Sequence, residues 1–397
     1  MRSRKTYTVS DRDVQALAQS WLDQALQFKD HGWKCTSNVL WQVVLLAAAR
    51  MISLFAACRD LSRAPCDQTV RDALRDNLPK RPATLERWME PALCGQLPRR
   101  LTSRARRVAI DWHLIPYHGE PHSSPNELYH SLPKSGTTKF HAYATACIVQ
   151  NGFRFTLATT YVRGNESVVT VLNRLLDRVA ALGVRIKNLL LDRQFFTAEV
   201  MAFLQSRDIP YVIPLVLRGA KPKKAAAKKG VKKPRRPEKL RDFRQRAAGR
   251  YAFTWKVKKV SVKFHVVVAY KSYKHHRTQR RRHKKLLYAV WRVSGSSVDI
   301  RELYRRRFGI ESSYRQLGQA RIRTCTTDPV LRLFFVIVAL VLRNVWVWLH
   351  LTYFAEGGVS EPTLHLERLR FRRMLNWIAH VIDTMLHDGS SYQVDLE

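Results

Sequence analysis

Apolar and polar positions along the chain change period several times, and each change marks an element. Ser10 with Asp13 three residues on forms a helix start, and Val14, Leu17, Trp21, Leu22, Ala25 and Leu26 continue it as a stripe at helical spacing. A second helix is predicted over 37–57, apolar almost all round and so the buried centre of a small bundle. Short polar helices follow around 67–75 and 84–89. After Arg104 the pattern becomes extended: strands are predicted over 106–116, 140–149 and 153–162, the last two joined by the hairpin signal Asn151-Gly152. A helix over 166–182, a strand over 184–191, a helix over 197–204 and a strand over 211–217 complete a mixed α/β sheet. Alternating segments at 251–257, 260–270 and 287–293 predict further strands. Helical spacing then returns at Ile300, Leu303, Phe308, Ile310 and Leu317, in the apolar run 330–354, and in a last helix opened by Pro362.

The run 330–354 approaches the length of a membrane span, but Arg343-Asn344 sit near its middle, where charge is costly. A core helix is the better reading, and no membrane partner is expected. The short apolar stretch inside 37–57 is interrupted by Arg50 and is too short to span.

Charge narrows the choice of partner. The chain has 397 residues and a formal net charge of +39. Such an excess repels itself unless a polyanion neutralises it, which points to nucleic acid. Two basic stretches, 221–236 and 271–285, contribute to the excess. The six cysteines form no CxxC pair, which argues against a zinc ribbon and a disulfide scaffold. Met1-Arg2-Ser3-Arg4-Lys5 leads into polar sequence rather than an apolar signal, so a reducing, cytoplasmic setting is expected.

Three carboxylates carry the candidate chemistry. Asp111 lies at or near the end of a predicted strand, Asp192 directly follows the buried run Leu189-Leu190-Leu191, and Glu311 lies among arginines on a predicted helix. Each has an ordinary explanation alone, as a turn former, a cap or a solvated ion pair. Together they make a hard-oxygen site for two Mg²⁺ or Mn²⁺ ions of the kind that serves in-line phosphoryl transfer. On one continuous helix Tyr304, Arg307, Glu311 and Arg315 would share a face.

These blocks, Ile110-Asp111-Trp112-His113-Leu114-Ile115-Pro116-Tyr117, Leu191-Asp192-Arg193-Gln194-Phe195-Phe196 and Tyr304-x2-Arg307-x3-Glu311, resemble the DDE transposases of prokaryotic insertion sequences. The resemblance covers about residues 100–350. It implies a ribonuclease H-like catalytic domain, with Asp111, Asp192 and Glu311 as catalytic metal ligands and Tyr304 and Arg307 positioning DNA. It further implies Mg²⁺-dependent strand cleavage and strand transfer at double-stranded element ends, a homodimer on DNA and a nucleoid-associated location. The family's lysine seven residues after the acid falls on Gly318, and Arg315, Arg321 or Arg323 are the candidate replacements, with Arg193 a further DNA contact. Gly318 also favours an alternative, an inactive or domesticated relative that binds DNA without cutting it. Trp255 and Trp291 are candidates to stack on a flipped base, or else pack their own sheet. The expected division is a helical, DNA-contacting domain over 1–100, a catalytic domain over 101–218 and 296–354, a basic β-rich insertion over 219–295, and a terminal helix and tail over 355–397.

Overall fold

The computed structural model describes residues 8–150, 153–217, 239–257, 259–274, 279, 281–308, 314–356 and 363–386. Along the chain run helices α1 (Asp11–Asp23), α2 (Ser37–Arg50), α3 (Leu54–Asp60), α4 (Asp67–Asn77), α5 (Pro82–Trp88), α6 (Glu90–Cys94) and α7 (Arg99–Thr102). Strands β1 (Arg106–Pro116), β2 (Tyr129–Lys134), β3 (Thr137–Gln150) and β4 (Phe153–Val162) come next, followed by α8 (Val168–Ala181), β5 (Ile186–Leu191), α9 (Ala198–Ser206) and β6 (Tyr211–Pro214). The remainder is β7 (Gly249–Val257), β8 (Val260–Lys274), β9 (Arg281–Trp291), α10 (Ser297–Arg305), α11 (Pro329–Leu349), β10 (Ala355–Glu356), β11 (Thr363–Leu364) and α12 (Phe371–Leu386). The mixed α/β class expected from the pattern is therefore the observed one.

The chain divides into two compact units, one made of residues 1–106, 111–185 and 308–397, the other of 107–110 and 186–307. This differs from the division expected from sequence. The amino-terminal helices are not a separate body, because they share a core with β4 and α11. The strands after residue 239 are not separate either, because they extend the sheet that carries β5 and β6.

In the first unit β3 lies between β1 and its antiparallel partners β2 and β4. The β3–β4 register closes with Gln150 opposite Phe153; the predicted turn Asn151-Gly152 lies outside the described residues. Ser10 and Asp13 cap α1 reciprocally as expected. The helix predicted over 37–57 is two helices, bent by 107°. Met51 takes a left-handed backbone (φ 57°) that ends α2, and the Ser53 hydroxyl then caps α3. Pattern reading misses this stop because Met51 carries no turn signal.

Helix α11 is the centre of this unit. Asp328 caps its first turn, accepting from the backbone N–H of Val330 at 2.8 Å. It is long and apolar enough to cross a membrane, yet its apolar window is wholly covered by protein. The core-helix reading is the one its burial supports. Pro362 lies outside the described residues, and the last helix does not begin there: Thr363–Leu364 pairs with Ala355–Glu356, and α12 starts at Phe371. That helix closes the amino-terminal bundle, packing on α1 and α2, with Asp383 ion-paired to Arg50 and the Arg372 guanidinium donating to the Ala49 carbonyl at 3.0 Å.

In the second unit the strand order is β1-β5-β6-β9-β8-β7, parallel at β5–β6 and antiparallel from β6 onward. Burial alternates strictly along β7, the mark of a strand with one covered face. The basic tract at 221–236 lies outside the described residues.

Candidate active site

Asp111 is set in β1 and nearly buried, at 8% exposure. Its Oδ1 accepts the Trp112 backbone N–H at 2.9 Å, and its carbonyl accepts the Tyr314 hydroxyl at 3.0 Å. That hydroxyl also shares a hydrogen bond with Thr145 Oγ1 at 2.8 Å, so β1, β3 and the start of the 314–317 helical turn meet at one phenol. His113 stacks on the Tyr314 ring at 4.6 Å. Burial, reinforced by Arg321 and Lys134, pushes the His113 imidazole down to about 3, so it is neutral at physiological pH.

Asp192 sits directly after the end of β5. The buried run Leu189-Leu190-Leu191 fixes β5, and the Asp192 carbonyl accepts from Phe195 N–H at 3.0 Å to start a short helical turn. Its carboxylate lies 3.7 Å from the Arg307 guanidinium, whose side chain is 4% exposed against 35% for the acid. The Tyr304 hydroxyl donates to the Leu191 carbonyl at 3.2 Å, and the Arg307 guanidinium lies over the Tyr304 ring.

Tyr304 and Arg307 are thus both buried and turned towards the strand end that bears Asp192. They do not lie on one continuous helix with residues further on: α10 stops at Arg305, and a tighter turn carries Arg306–Phe308. Glu311 lies outside the described residues. Among the described residues no three His, Cys, Asp or Glu side chains cluster closely enough to hold a metal.

Of the other expected DNA contacts, Arg193, Arg315 and Arg323 are exposed and Arg321 is half-buried. Gly318 is exposed too, its N–H bonded to the Tyr314 carbonyl at 3.0 Å. Trp255 stacks on Phe196 at 4.8 Å and 9°, and Trp291 lies against Tyr211 at 6.1 Å. Both tryptophans therefore contribute to their own sheet's packing.

Sequence reading passed over three residues. Tyr314 holds the Asp111 strand, and its position three residues after Glu311 was the available signal. Glu86 on α5 is buried and binds Arg178 at 2.6 Å, the Tyr161 backbone N–H at 2.7 Å and the Thr160 hydroxyl at 2.9 Å. Asn344, inside α11, bonds the backbone of Thr156 and Leu93. Neither Glu86 nor Asn344 has a local signal, since every partner is distant in sequence.

A family model described as a transposase DDE domain matches residues 102–342, more than half of the chain. The chain belongs to the transposase DDE-domain family. It is a DDE-type transposase enzyme, of a family that acts with divalent metal ions. Among solved structures, the transposase is similar to a piggyBac transposase in the cryo-EM structure of its synaptic complex with hairpin DNA. The TM-score is 0.51 at 13% identity, over 95% of this chain and 78% of that one, a likeness of fold. No curated protein matches the transposase. Carboxylate oxygens are the donors that a hard divalent ion takes, so Asp111 and Asp192 fit the family's metal by chemistry.

Proposed function

We propose that the transposase cuts double-stranded DNA at the ends of a prokaryotic insertion sequence and joins those ends to a target. In this reading Asp111, Asp192 and Glu311 hold two Mg²⁺ or Mn²⁺ ions. The observation that carries it is how residues flanking Glu311 are engaged. On its amino-terminal side Tyr304 and Arg307 are tied to Leu191 and Asp192, and on its carboxyl-terminal side Tyr314 is tied to Asp111. Each neighbour of the third acid thus supports the strand that bears one of the other two.

When bound, the ions would activate the attacking oxygen and offset charge on the leaving oxygen in an in-line displacement. The chain's own groups prepare for this. Arg307 orients the Asp192 carboxylate, Tyr314 pins the Asp111 backbone, and the neutral His113 adds no positive charge to repel a cation. The surrounding basic charge holds the phosphodiester backbone. A homodimer brings two ends together, and the work is done in the cytoplasm at the nucleoid. The DNA in the piggyBac synaptic complex agrees with this partner.

Strand cleavage and joining on the element's own ends with Mg²⁺, wild type beside Asp192→Ala, tests the proposal. Cleavage by wild type and none by the variant is the expected result; equal activity overturns the role of Asp192. The alternative, a relative that binds DNA without cutting, draws on Gly318, which offers no side chain to a phosphate. It predicts salt-sensitive binding and no cleavage by the wild type under any divalent ion.

A further inference from the structure

A cavity of about 550 Å³ opens in the first unit, beside the carboxyl end of β1. Its walls include Tyr117, Arg321, Arg323, Cys325, Arg332 and Phe335, and no carboxylate is among the lining residues. Three guanidinium groups share it. Arg332, on the first turn of α11, is 9% exposed and lies over the Tyr117 ring at 4.6 Å. Its Nε donates to the Thr326 carbonyl at 2.5 Å, which fixes the fork. Arg323 is exposed, and its backbone N–H is anchored to the Ile52 carbonyl at 3.1 Å. Among the described residues no carboxylate pairs with any of the three.

The cluster is under electrostatic tension. Burial lowers the Arg321 guanidinium from its ordinary range, and Arg332 and Arg323 press the same way. Gathering three cations around one hollow with no counter-charge among the described residues is unfavourable unless an anion enters, and arginine forks match phosphate oxygens in pairs. The hollow exceeds a lone phosphate and falls in the range of small-molecule sites, about 300–1,000 Å³. The rest of the wall mixes the polar His118 and Thr324 with apolar and aromatic groups, Ile322 and Phe335 each 2% exposed and Tyr117 nearly buried. Such a surface receives a sugar or a base.

We propose that this cavity binds one nucleotide, its phosphate on Arg321, Arg323 and Arg332 and its sugar and base against the Tyr117 and Phe335 wall. Its place beside the Asp111 strand makes a DNA strand the source of that nucleotide. The assignment of the source rests on the DNA-cutting reading above; the cavity's chemistry does not. A free mononucleotide offers the same groups, so the test separates the two.

Cys325 is an exposed thiol on the cavity wall, and glutathione added to every sample serves as the reactivity reference. The full-length protein is labelled with a maleimide, and each site's rate is read by peptide mass spectrometry. Three samples are compared: no ligand, saturating duplex DNA, and dAMP. Duplex DNA is expected to slow Cys325 labelling about ten-fold, and Arg323→Gln or Arg321→Gln to restore the free rate while weakening DNA binding about ten-fold. An unchanged melting curve shows that these variants fold. Protection by dAMP with none by DNA overturns the strand as source. Labelling of Cys325 at one rate in all three samples, or full protection in Arg323→Gln, overturns the site. No step of this assay needs strand cleavage, so an enzyme inactive on its ends but protected at Cys325 counts against the catalytic reading alone.

Discussion

Asn344→Leu is the sharpest test of how the first unit is held together. Asn344 lies inside the apolar helix α11 with no exposure at all. Its Oδ1 accepts the Thr156 backbone N–H at 2.9 Å, and its Nδ2 donates to the carbonyls of Thr156 at 2.8 Å and Leu93 at 3.0 Å. β4 has β3 as its strand partner, and the register slips between Ala146 and Cys147, where Thr156 pairs. One side chain therefore completes the main-chain bonding of β4 and joins it to α6. Leucine keeps the volume and the helix but removes every one of these bonds. Stripping a buried backbone group of its partner costs about 1–3 kcal/mol, and three such losses outweigh the roughly 1.5–3 kcal/mol gained by burying an added apolar side chain. A net loss of about 3–4 kcal/mol follows, and at about 2–4 °C per kcal/mol for a unit of this size the melting temperature falls by about 10 °C. Differential scanning calorimetry of the full chain at pH 7 measures it. A variant that melts within about 2 °C of wild type would show that these three bonds are not what seats β4 on α11, and would refute the reasoning.

Two further predictions concern buried groups that no local pattern announces. His141 is buried between Tyr117 and Tyr161, with neither ring nitrogen hydrogen-bonded among the described residues, and burial, with Arg332 acting the same way, pushes its imidazole down to about 3. The folded chain thus resists protonating a ring that the unfolded chain protonates below about 6.5. Its contribution is fully present above that pH and is lost as pH falls towards 3, by about 1.4 kcal/mol per unit. His141→Leu is expected to leave stability at pH 7 unchanged or higher and to flatten the acid limb by one proton; denaturant titrations from pH 7 to 4 read both. Glu86→Ala removes one partner of a nearly buried ion pair and leaves Arg178 uncompensated, so a loss of about 3–5 kcal/mol is expected. A urea midpoint close to that of wild type would exclude an anchoring role for α5.

Some of the transposase was legible in the chain because the signals are local. Strand alternation, the close β3–β4 pairing, the Ser10–Asp13 cap and the acid after Leu189-Leu190-Leu191 each act over a few residues, so spacing alone predicts them. The stop at Met51 and the break after Arg305 were not legible, since nothing in their immediate neighbourhood forbids a longer helix. The signature residues Tyr304 and Arg307 are a sharper case. The family resemblance marked them as expected DNA contacts, but only the fold showed them buried against Leu191 and Asp192.

By itself, then, the sequence determined the class of fold, the excess of positive charge that calls for a polyanion and which acids are proposed to hold metal, all properties of composition and short-range order. The tertiary structure decided which polar groups satisfy one another inside the core. Asn344 finds its partners 188 and 251 residues away, and Glu86 finds Arg178 92 residues on. A buried hydrogen bond is specified by packing at both ends, and the chain between those ends carries no trace of it.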